Sequence, residues 1–225
     1  GAVGDGDNGS SSGSAYLFDA LTGVQIAKLL PSDGEFNDRF GYSIAIHNGI
    51  VAVGATQSDD NGSDSGSVYL FDALTGVQIT KLLPNDQETQ WFGSSIAIDT
   101  GIVAVGAMFD NEGGSYSGSA YLFDASTGVQ IAKLLPSDGE IDDRFGGSIA
   151  ISNGIVAVGA YLDEDNGRSS GSAYLFDAST GGQITKLLPS DGTSHDHFGL
   201  SVAIDNGVVV VGAQRGAENG IGSGT

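Results

Sequence analysis

Residues 51–76 read VAVGATQSDDNGSDSGSVYLFDALTG. Nearly the same text returns at residues 103–128, VAVGAMFDNEGGSYSGSAYLFDASTG, and at residues 156–180, VAVGAYLDEDNGRSSGSAYLFDAST. The Gly-Ala pair of this text begins at residues 1, 54, 106, 159 and 212, so the steps are 53, 52, 53 and 53 residues. A fixed period of this size marks a repeat protein, in which each copy builds one structural unit and packs on its neighbours.

Each copy is predicted to contain two β-hairpins. The run FGYSIAI, starting at Phe40, is joined to IVAVGA by His47-Asn48-Gly49, and Asn-Gly between β-branched runs is a strong signal for a type I′ turn. The run SVYLFDA is joined to VQITKLL by Leu74-Thr75-Gly76. We label the four strands A to D in chain order. No helical periodicity occurs, so the sequence predicts an all-β fold.

The strands are apolar on both faces, which requires that each sheet be covered on both sides. Four-stranded antiparallel sheets at a period of about 53 residues are typical of the blades of a β-propeller. An open β-solenoid is the alternative, although its coils are usually shorter. The predicted units are strands C and D at 14–30, full blades at 40–83, 92–135 and 145–188, and strands A and B at 198–213.

The chain resembles the FG-GAP repeat family. The resemblance rests on a Phe-Gly pair followed by a small apolar strand and Val-Gly-Ala, and it recurs at Phe40-Gly41, Phe92-Gly93, Phe145-Gly146 and Phe198-Gly199. The family includes the propeller of integrin α subunits and many bacterial cell-surface proteins, and it usually closes seven blades. Because the chain begins without Met and residues 212–225 repeat the register of residues 1–14, we expect a fragment of a larger propeller or repeat array.

Composition excludes several classes of partner. Twenty-eight acidic residues against eight basic ones give a net charge of −20, which argues against nucleic acid and anionic membranes. No apolar run approaches the roughly 20 residues that span a bilayer, so we expect no membrane insertion.

Calcium is the cofactor that the acidic loops suggest. The family's calcium loop resembles D-x-D-x-D-G-x-x-D in the A–B hairpin, where this chain has only a short turn such as His47-Asn48-Gly49. Carboxylates gather instead in the B–C loops, and hard cations prefer such oxygen ligands. The candidate ligands are Asp5, Asp7, Asn8, Asp59, Asp60, Asp64, Asp110, Glu112, Asp163 and Asp165. Solvated turns, in which Asp and Asn cap their own backbone, are the competing interpretation.

A second acidic cluster lies in the D–A loops, and weaker candidates for chemistry are scattered. This cluster comprises Asp33, Glu35, Asp38, Asp138, Glu140, Asp142, Asp143, Asp191 and Asp196. His195-Asp196-His197 lacks a third metal ligand, and the G-x-S-x-G matches at residues 9–13 and 167–171 precede a strand rather than a helix. Trp91 stands where other copies carry Arg or His, and is the best single candidate for stacking on a ligand.

Near-identical copies without a gathering of unlike polar side chains favour a binding or structural role over catalysis. We therefore expect a non-enzymatic, secreted, extracellular or cell-surface module with a structural or adhesive role. Its partners would be a protein or glycan ligand, or other copies of itself in a larger assembly. The alternative is a lectin-like propeller with a repeated carbohydrate site in its loops.

Overall fold

The computed structural model describes residues 1–7, 9–86 and 89–215, which form sixteen strands. The strands are β1 (Ala15–Phe18), β2 (Gln25–Leu29), β3 (Phe40–His47), β4 (Ile50–Ala55), β5 (Ser67–Asp72), β6 (Gln78–Leu82), β7 (Ser95–Asp99), β8 (Ile102–Ala107), β9 (Ser119–Asp124), β10 (Gln130–Leu134), β11 (Phe145–Ser152), β12 (Ile155–Ala160), β13 (Ser172–Asp177), β14 (Gln183–Leu187), β15 (Phe198–Asp205) and β16 (Val208–Ala213). None of the described segments forms a helix long and apolar enough to cross a membrane.

The predicted fold class is confirmed. Strands β3–β6, β7–β10 and β11–β14 form three antiparallel four-stranded sheets in simple meander order, while β1–β2 and β15–β16 form two-stranded sheets. The first strands of successive sheets, β3, β7, β11 and β15, lie side by side. The sheets are therefore propeller blades with strand A innermost and strand D outermost. Within the described chain β16 does not pair with β1, so the blades form an open arc.

The A–B turns have the backbone that the Asn-Gly signal predicts. Asn48 and Gly49 have φ of 44° and 81°, and Thr100 and Gly101 have φ of 45° and 83°. Two successive residues with positive φ are the requirement of a type I′ turn, whose twist matches that of the flanking strands.

The hydrophobic core lies between the blades rather than within any one of them. In β5, Val68 and Leu70 face one way and join a cluster with residues of β7–β9. Tyr69 and Phe71 face the other way, where the ring of Phe40 meets them edge-to-face at centroid distances of 5.6 and 5.8 Å. Alternation along a strand thus supplies an aliphatic face to one neighbour and an aromatic face to the other.

The Phe-Gly and Gly-Ala pairs of the sequence mark the closest approach of neighbouring blades. A Cβ atom on Gly106 of β8 would lie 2.0 Å from the carbonyl oxygen of Gly146 in β11, so no side chain fits there. The same carbonyl accepts a hydrogen bond from Ser95 Oγ at 2.8 Å. Equivalent contacts join Gly54 to Gly93 and Gly159 to Gly199. The repeated glycines therefore fix the spacing of the blades.

The loops that carry the acidic residues share one end of the arc. Backbone N–H groups of the D–A loops donate to carbonyls of the B–C loops, as Trp91 does to Asp64 at 2.9 Å and Asp142 does to Ser115 at 2.9 Å. These hydrogen bonds bring the two acidic clusters of the sequence together on one face.

The glycine contact predicts a position-specific loss of stability. Gly106→Ala forces a Cβ into the backbone of the next blade and is expected to lower the free energy of unfolding by about 3 kcal/mol. The matched control is Gly182→Val, because Val129 occupies the same turn position in another copy. Urea unfolding of both variants checks the prediction, and a Gly106→Ala protein as stable as the control would contradict the proposed packing.

Candidate functional site

Each strand D carries one lysine whose ammonium lies among loop carboxylates, which come from two loops in the three four-stranded blades. Lys186 Nζ on β14 lies 2.8 Å from Asp138 in the β10–β11 connection and 3.0 Å from Asp163 in the β12–β13 loop, and it also pairs with Asp165. We call this arrangement the lysine node. Its equivalents are Lys28 with Asp5 and Asp7, Lys81 with Asp33 and Asp60, and Lys133 with Asp86, Asp110 and Glu112.

A tyrosine completes each lysine node. Tyr174 lies directly opposite Lys186 in the β13–β14 pairing, and the ammonium sits 5.0 Å from its ring centroid. The Tyr174 hydroxyl oxygen lies 2.8 Å from Asp163 and 3.0 Å from Asp138, and its single O–H is shared between these two acceptors. Burial raises the pKa of Tyr174, and the charge of Asp163 raises it further. Burial opposes the charge of Lys186, but hydrogen bonds with Asp138 and Asp165 outweigh it and raise the pKa of this lysine.

The structure brings most of the predicted calcium ligands to these nodes. The ligands that contact a lysine are Asp5, Asp7, Asp60, Asp110, Glu112, Asp163 and Asp165. Asp59 and Asp64 are engaged elsewhere, since Asp59 accepts the Asp64 N–H at 2.8 Å and Asp64 accepts Gln57 Nε2 at 3.0 Å. Asn8 and the acidic residue of the last loop, Glu218, lie outside the described residues.

Carboxylates exceed cations in the cleft between the two kinds of loop. One such cleft is lined by Asp33, Glu35, Asp38, Ser58, Asp59 and Asp60. Burial raises the pKa of Asp38, and the charges of Glu35 and Asp60 add to the effect. Two blades further along, burial together with the charges of Asp163 and Glu140 raises the pKa of Asp143 to about 6. Ionised carboxylates in these clefts therefore repel one another.

The donor set fits a hard cation at the loops but not at the A–B hairpins. Carboxylate oxygens of Asp86, Asp110 and Glu112 lie within 4.8 Å of one another, which is the chemistry that Ca²⁺ requires. Lys133 Nζ, however, already contacts all three. A divalent ion at this place would have to compete with an ammonium that is tethered to the fold.

Trp91 belongs to a row of aromatic and arginine side chains on the same loop face. Its ring centroid lies 5.9 Å from Tyr42 and 4.7 Å from Phe109, and Phe109 in turn lies 5.7 Å from Tyr116. Two arginines lie over these rings. Arg39 is 5.9 Å from the Trp91 centroid, and Arg144 is 4.3 Å from Phe109 and 4.6 Å from Tyr116. We call these six side chains the aromatic–arginine row.

The remaining sequence candidates have local structural roles. The carboxylate of Asp196 accepts the Thr193 N–H at 2.6 Å, and the ring of His197 packs edge-on against Tyr161 at 6.2 Å. Burial and the charge of Arg215 lower the pKa of His197. Ser11 and Ser169, the centres of the G-x-S-x-G matches, lie at φ of 59° and 52° in loops that lead into strands.

Sequence analysis missed the lysine nodes. A lysine on an outermost strand usually protects the sheet edge from pairing with another chain, whereas these ammonium groups contact carboxylates of both acidic clusters. A signal was present, because a tyrosine precedes each lysine by twelve residues in every copy. That spacing places the pair opposite each other across the C–D hairpin, as in Tyr69 and Lys81.

Loss of a node lysine is expected to destabilise the fold. Lys133→Met leaves Asp110, which is 2% exposed, without a counter-charge and is expected to lower the free energy of unfolding by about 3–5 kcal/mol. Lys28→Met is the matched control, because Lys28 is more exposed and its loss is expected to destabilise the fold much less than the loss of Lys133. Urea unfolding measures both, and equal losses would contradict the difference in burial.

The cleft carboxylates predict a pH dependence of stability. The raised pKa of Asp143 means that its favourable, protonated state is fully present below about pH 4 and is lost as the pH rises through about 6. Asp143→Asn is therefore expected to be more stable than the parent protein at pH 8, by on the order of 1 kcal/mol, and the gain should shrink at pH 5.

The control for this experiment is Asp124→Asn, which should lower the free energy of unfolding where Asp143→Asn raises it. The hydrogen bonds that Asp124 accepts from Ser126 and Thr127 hold the pKa of Asp124 at about 2. At any pH above the ordinary aspartate pKa, which is near 4, the charged carboxylate of Asp124 stabilises the turn. The Asp124→Asn variant should therefore be less stable than the parent protein at neutral pH. Unfolding curves at pH 5 and pH 8 distinguish the two, and a pH-independent gain for Asp143→Asn would count against the cleft repulsion.

Comparisons with known proteins agree with this architecture. The model of the FG-GAP repeat family matches residues 24–71, 77–123, 129–176 and 182–225. A search of curated proteins finds no similar sequence. Two computationally designed proteins of known structure, each 18% identical, share the fold. Ika4 has a TM-score of 0.57 over 87% of this chain and 96% of its own, and Ika8 has a TM-score of 0.59 over 92% of this chain and 53% of its own. The chain thus spans about half the length of Ika8.

Each of the first three family matches spans strand D of one blade and ends in strand C of the next, so the family unit straddles two of the sheets seen here. Four such matches cover most of the sequence, and the chain therefore belongs to the FG-GAP repeat family.

Proposed function

We propose that this chain is a non-enzymatic extracellular or cell-surface module with a structural or adhesive binding role. The observation that carries the proposal is the contrast between the repeated and the unrepeated parts of its loop face. The lysine node recurs at every strand D and forms a repeated frame, whereas within the described residues the aromatic–arginine row occurs once and is partly exposed. A repeated frame that presents one distinctive patch suits recognition of a partner.

The polar groups of the loop face favour binding over catalysis. Asp163, Tyr174 and Lys186 are committed to one another in the node, and Asp196 is committed to its own turn. General acid–base catalysis requires a group that can reach a substrate and exchange a proton with it. The FG-GAP family, in which extracellular propellers are typical, supports the same assignment by analogy.

Calcium is proposed as a stabilising ion at the clefts of the loop face. In the cleft of Asp33, Glu35, Asp38, Asp59 and Asp60 the only lysine in ionic contact within the described chain is Lys81, so negative charge remains in excess. An oxygen-rich site with excess negative charge suits Ca²⁺, which takes six to eight oxygen ligands. The node lysines compensate part of the charge, so the effect of the ion should be moderate.

A lectin-like role is the second candidate. Trp91, Tyr42 and Tyr116 offer partly exposed aromatic surface, which is uncommon on so acidic a face. The row is built from residues in which the copies differ, and this favours one carbohydrate site over a site repeated in each blade.

A binding panel tests the proposed function. The labelled chain is applied to an array of glycans and to a panel of extracellular matrix proteins, in calcium and in chelator. We expect saturable binding that unlabelled chain displaces. No saturable binding on either panel would contradict the binding role and leave a structural one.

A thermal melt tests the proposed calcium effect. Millimolar Ca²⁺ is expected to raise the melting temperature above that in chelator or in equal Mg²⁺, because Mg²⁺ loses its hydration water reluctantly. Glu35→Gln should reduce the rise, whereas Asp205→Asn in an exposed hairpin should not. Identical curves in all three solutions would remove calcium from the proposal.

A further inference from the structure

We infer that the aromatic–arginine row binds a short oligosaccharide that carries a carboxylate group. The inference rests on the proposed binding function and names the chemical class of its ligand. It depends on three properties of the row: the unpaired charge of Arg39, the exposure of its rings, and the hydrogen bonds that already engage the backbone beneath it.

The arginines of the row lack the ionic partners that the lysines have. Lys133 and Lys186 each contact three carboxylates, whereas Arg39 makes no ion pair or side-chain hydrogen bond within residues 1–7, 9–86 and 89–215. Arg144 has one long ion pair, 3.4 Å to the exposed Asp142, and its Nε and Nη1 are buried without an acceptor. In a chain with 28 acidic residues, Arg39 thus keeps a guanidinium that is available for an external acceptor, while Arg144 holds the rings of Phe109 and Tyr116 in place.

The rings of the row provide the apolar part of a binding surface. Tyr42 and Tyr116 are 41% and 40% exposed, and Trp91 and Phe109 lie half-buried between them. Their edge-to-face contacts hold them in fixed orientations, so little side-chain entropy is lost when a ligand packs on them. A surface of aromatic rings with guanidinium groups at its margins suits a ligand that has apolar ring faces and acceptor oxygens.

The backbone beneath the row argues against an extended peptide as the ligand. Arg39 N–H donates to the Ser11 carbonyl at 3.2 Å, Trp91 N–H to Asp64 at 2.9 Å and Arg144 N–H to Tyr116 at 3.3 Å. A peptide that adds to a sheet needs free main-chain partners, and these groups are already paired. The donors that remain are side-chain ends, which suit the hydroxyl and carboxylate oxygens of a sugar.

The charge of the protein narrows the class further. With a net charge of −20, a densely charged polyanion would be repelled at long range. A short sugar with a single carboxylate beside Arg39 keeps the charge-assisted hydrogen bond without that penalty. The ligand class is therefore a mainly neutral oligosaccharide with one uronic acid unit.

The experiment uses Trp91 as the reporter, because it is the only tryptophan of the chain. The probes are an oligosaccharide of neutral sugars that ends in one galacturonic acid, the methyl ester of the same molecule, and an acidic peptide of similar length. Titration by fluorescence and calorimetry is expected to give binding of the acid about tenfold tighter than of the ester, since a hydrogen bond to a charged group contributes about 1.5 kcal/mol.

The variants separate the charge from the ring. Arg39→Gln should reduce the preference for acid over ester to about one, while Arg168→Gln, which removes an exposed arginine outside the row, should leave it unchanged. Trp91→His introduces the residue found at the same place in the last copy, so it is compatible with the loop. It should weaken acid and ester equally, by roughly tenfold, as read by calorimetry.

The outcomes distinguish the inference from the function on which it rests. Acid and ester bound alike, a preference unaffected by Arg39→Gln, or binding of the acidic peptide instead of the sugar would each overturn the inference. If the array and protein panel give saturable binding while both sugars are silent, the ligand class is wrong and the binding function stands. If every probe and panel is silent, the binding function fails as well.

Discussion

The close approach of backbones between neighbouring blades is the constraint on which the structure depends. Where Gly106 meets Gly146, and at the equivalent pairs, no Cβ can be accommodated, so each blade has one position relative to the next. The Phe of the same Phe-Gly pair packs within its own blade, where Phe145 of β11 meets Tyr174 and Phe176 of β13 at ring-centroid distances of 5.5 and 5.7 Å. Burial is accordingly a property of the stack, because Phe71 between two blades is 1% exposed and its counterpart Phe18 in a two-stranded sheet is 58% exposed.

The crowding of negative charge on the loop face also follows from the repetition of the sequence. Any loop sequence that recurs in each blade stacks its charges beside those of its neighbours, and the chain has few cations to offset them. In the three four-stranded blades one lysine ammonium offsets part of this charge, because it contacts carboxylates from the loop that enters the blade and from the loop between strands B and C. Partly buried ion pairs of this kind are sensitive to loss of either partner. Lys81 and Lys186 offset only part of the charge in the clefts beside them, so the surroundings of Asp38 and Asp143 retain unfavourable charge.

Short sequence signals predict the fold well, because each strand pairs with the strand next to it in the sequence. Asn48-Gly49 predicts the turn it forms, and the FG and GA pairs predict the family and the blade. The site is less accessible to such reasoning. Lys81 and Asp33 are 48 residues apart and meet only because two loops fold over one end of the blade. The sequence predicts that carboxylates crowd there, but the reach of a side chain across a loop depends on backbone angles that composition does not specify.

Comparison of the copies with one another distinguishes residues that stabilise the repeat from residues that bind a ligand. The node lysine and its tyrosine occur in all four copies, so they serve the packing that all four share. Trp91, Phe109 and Tyr116 each replace a different residue in the other copies, and yet they come from two loops, β6–β7 and β8–β9, and meet in one row. Independent deviations that converge in space are not required by the repeat. Binding of a partner explains them better than the needs of the fold do. The row, rather than the acidic loops, is therefore the surface that the partner is expected to contact.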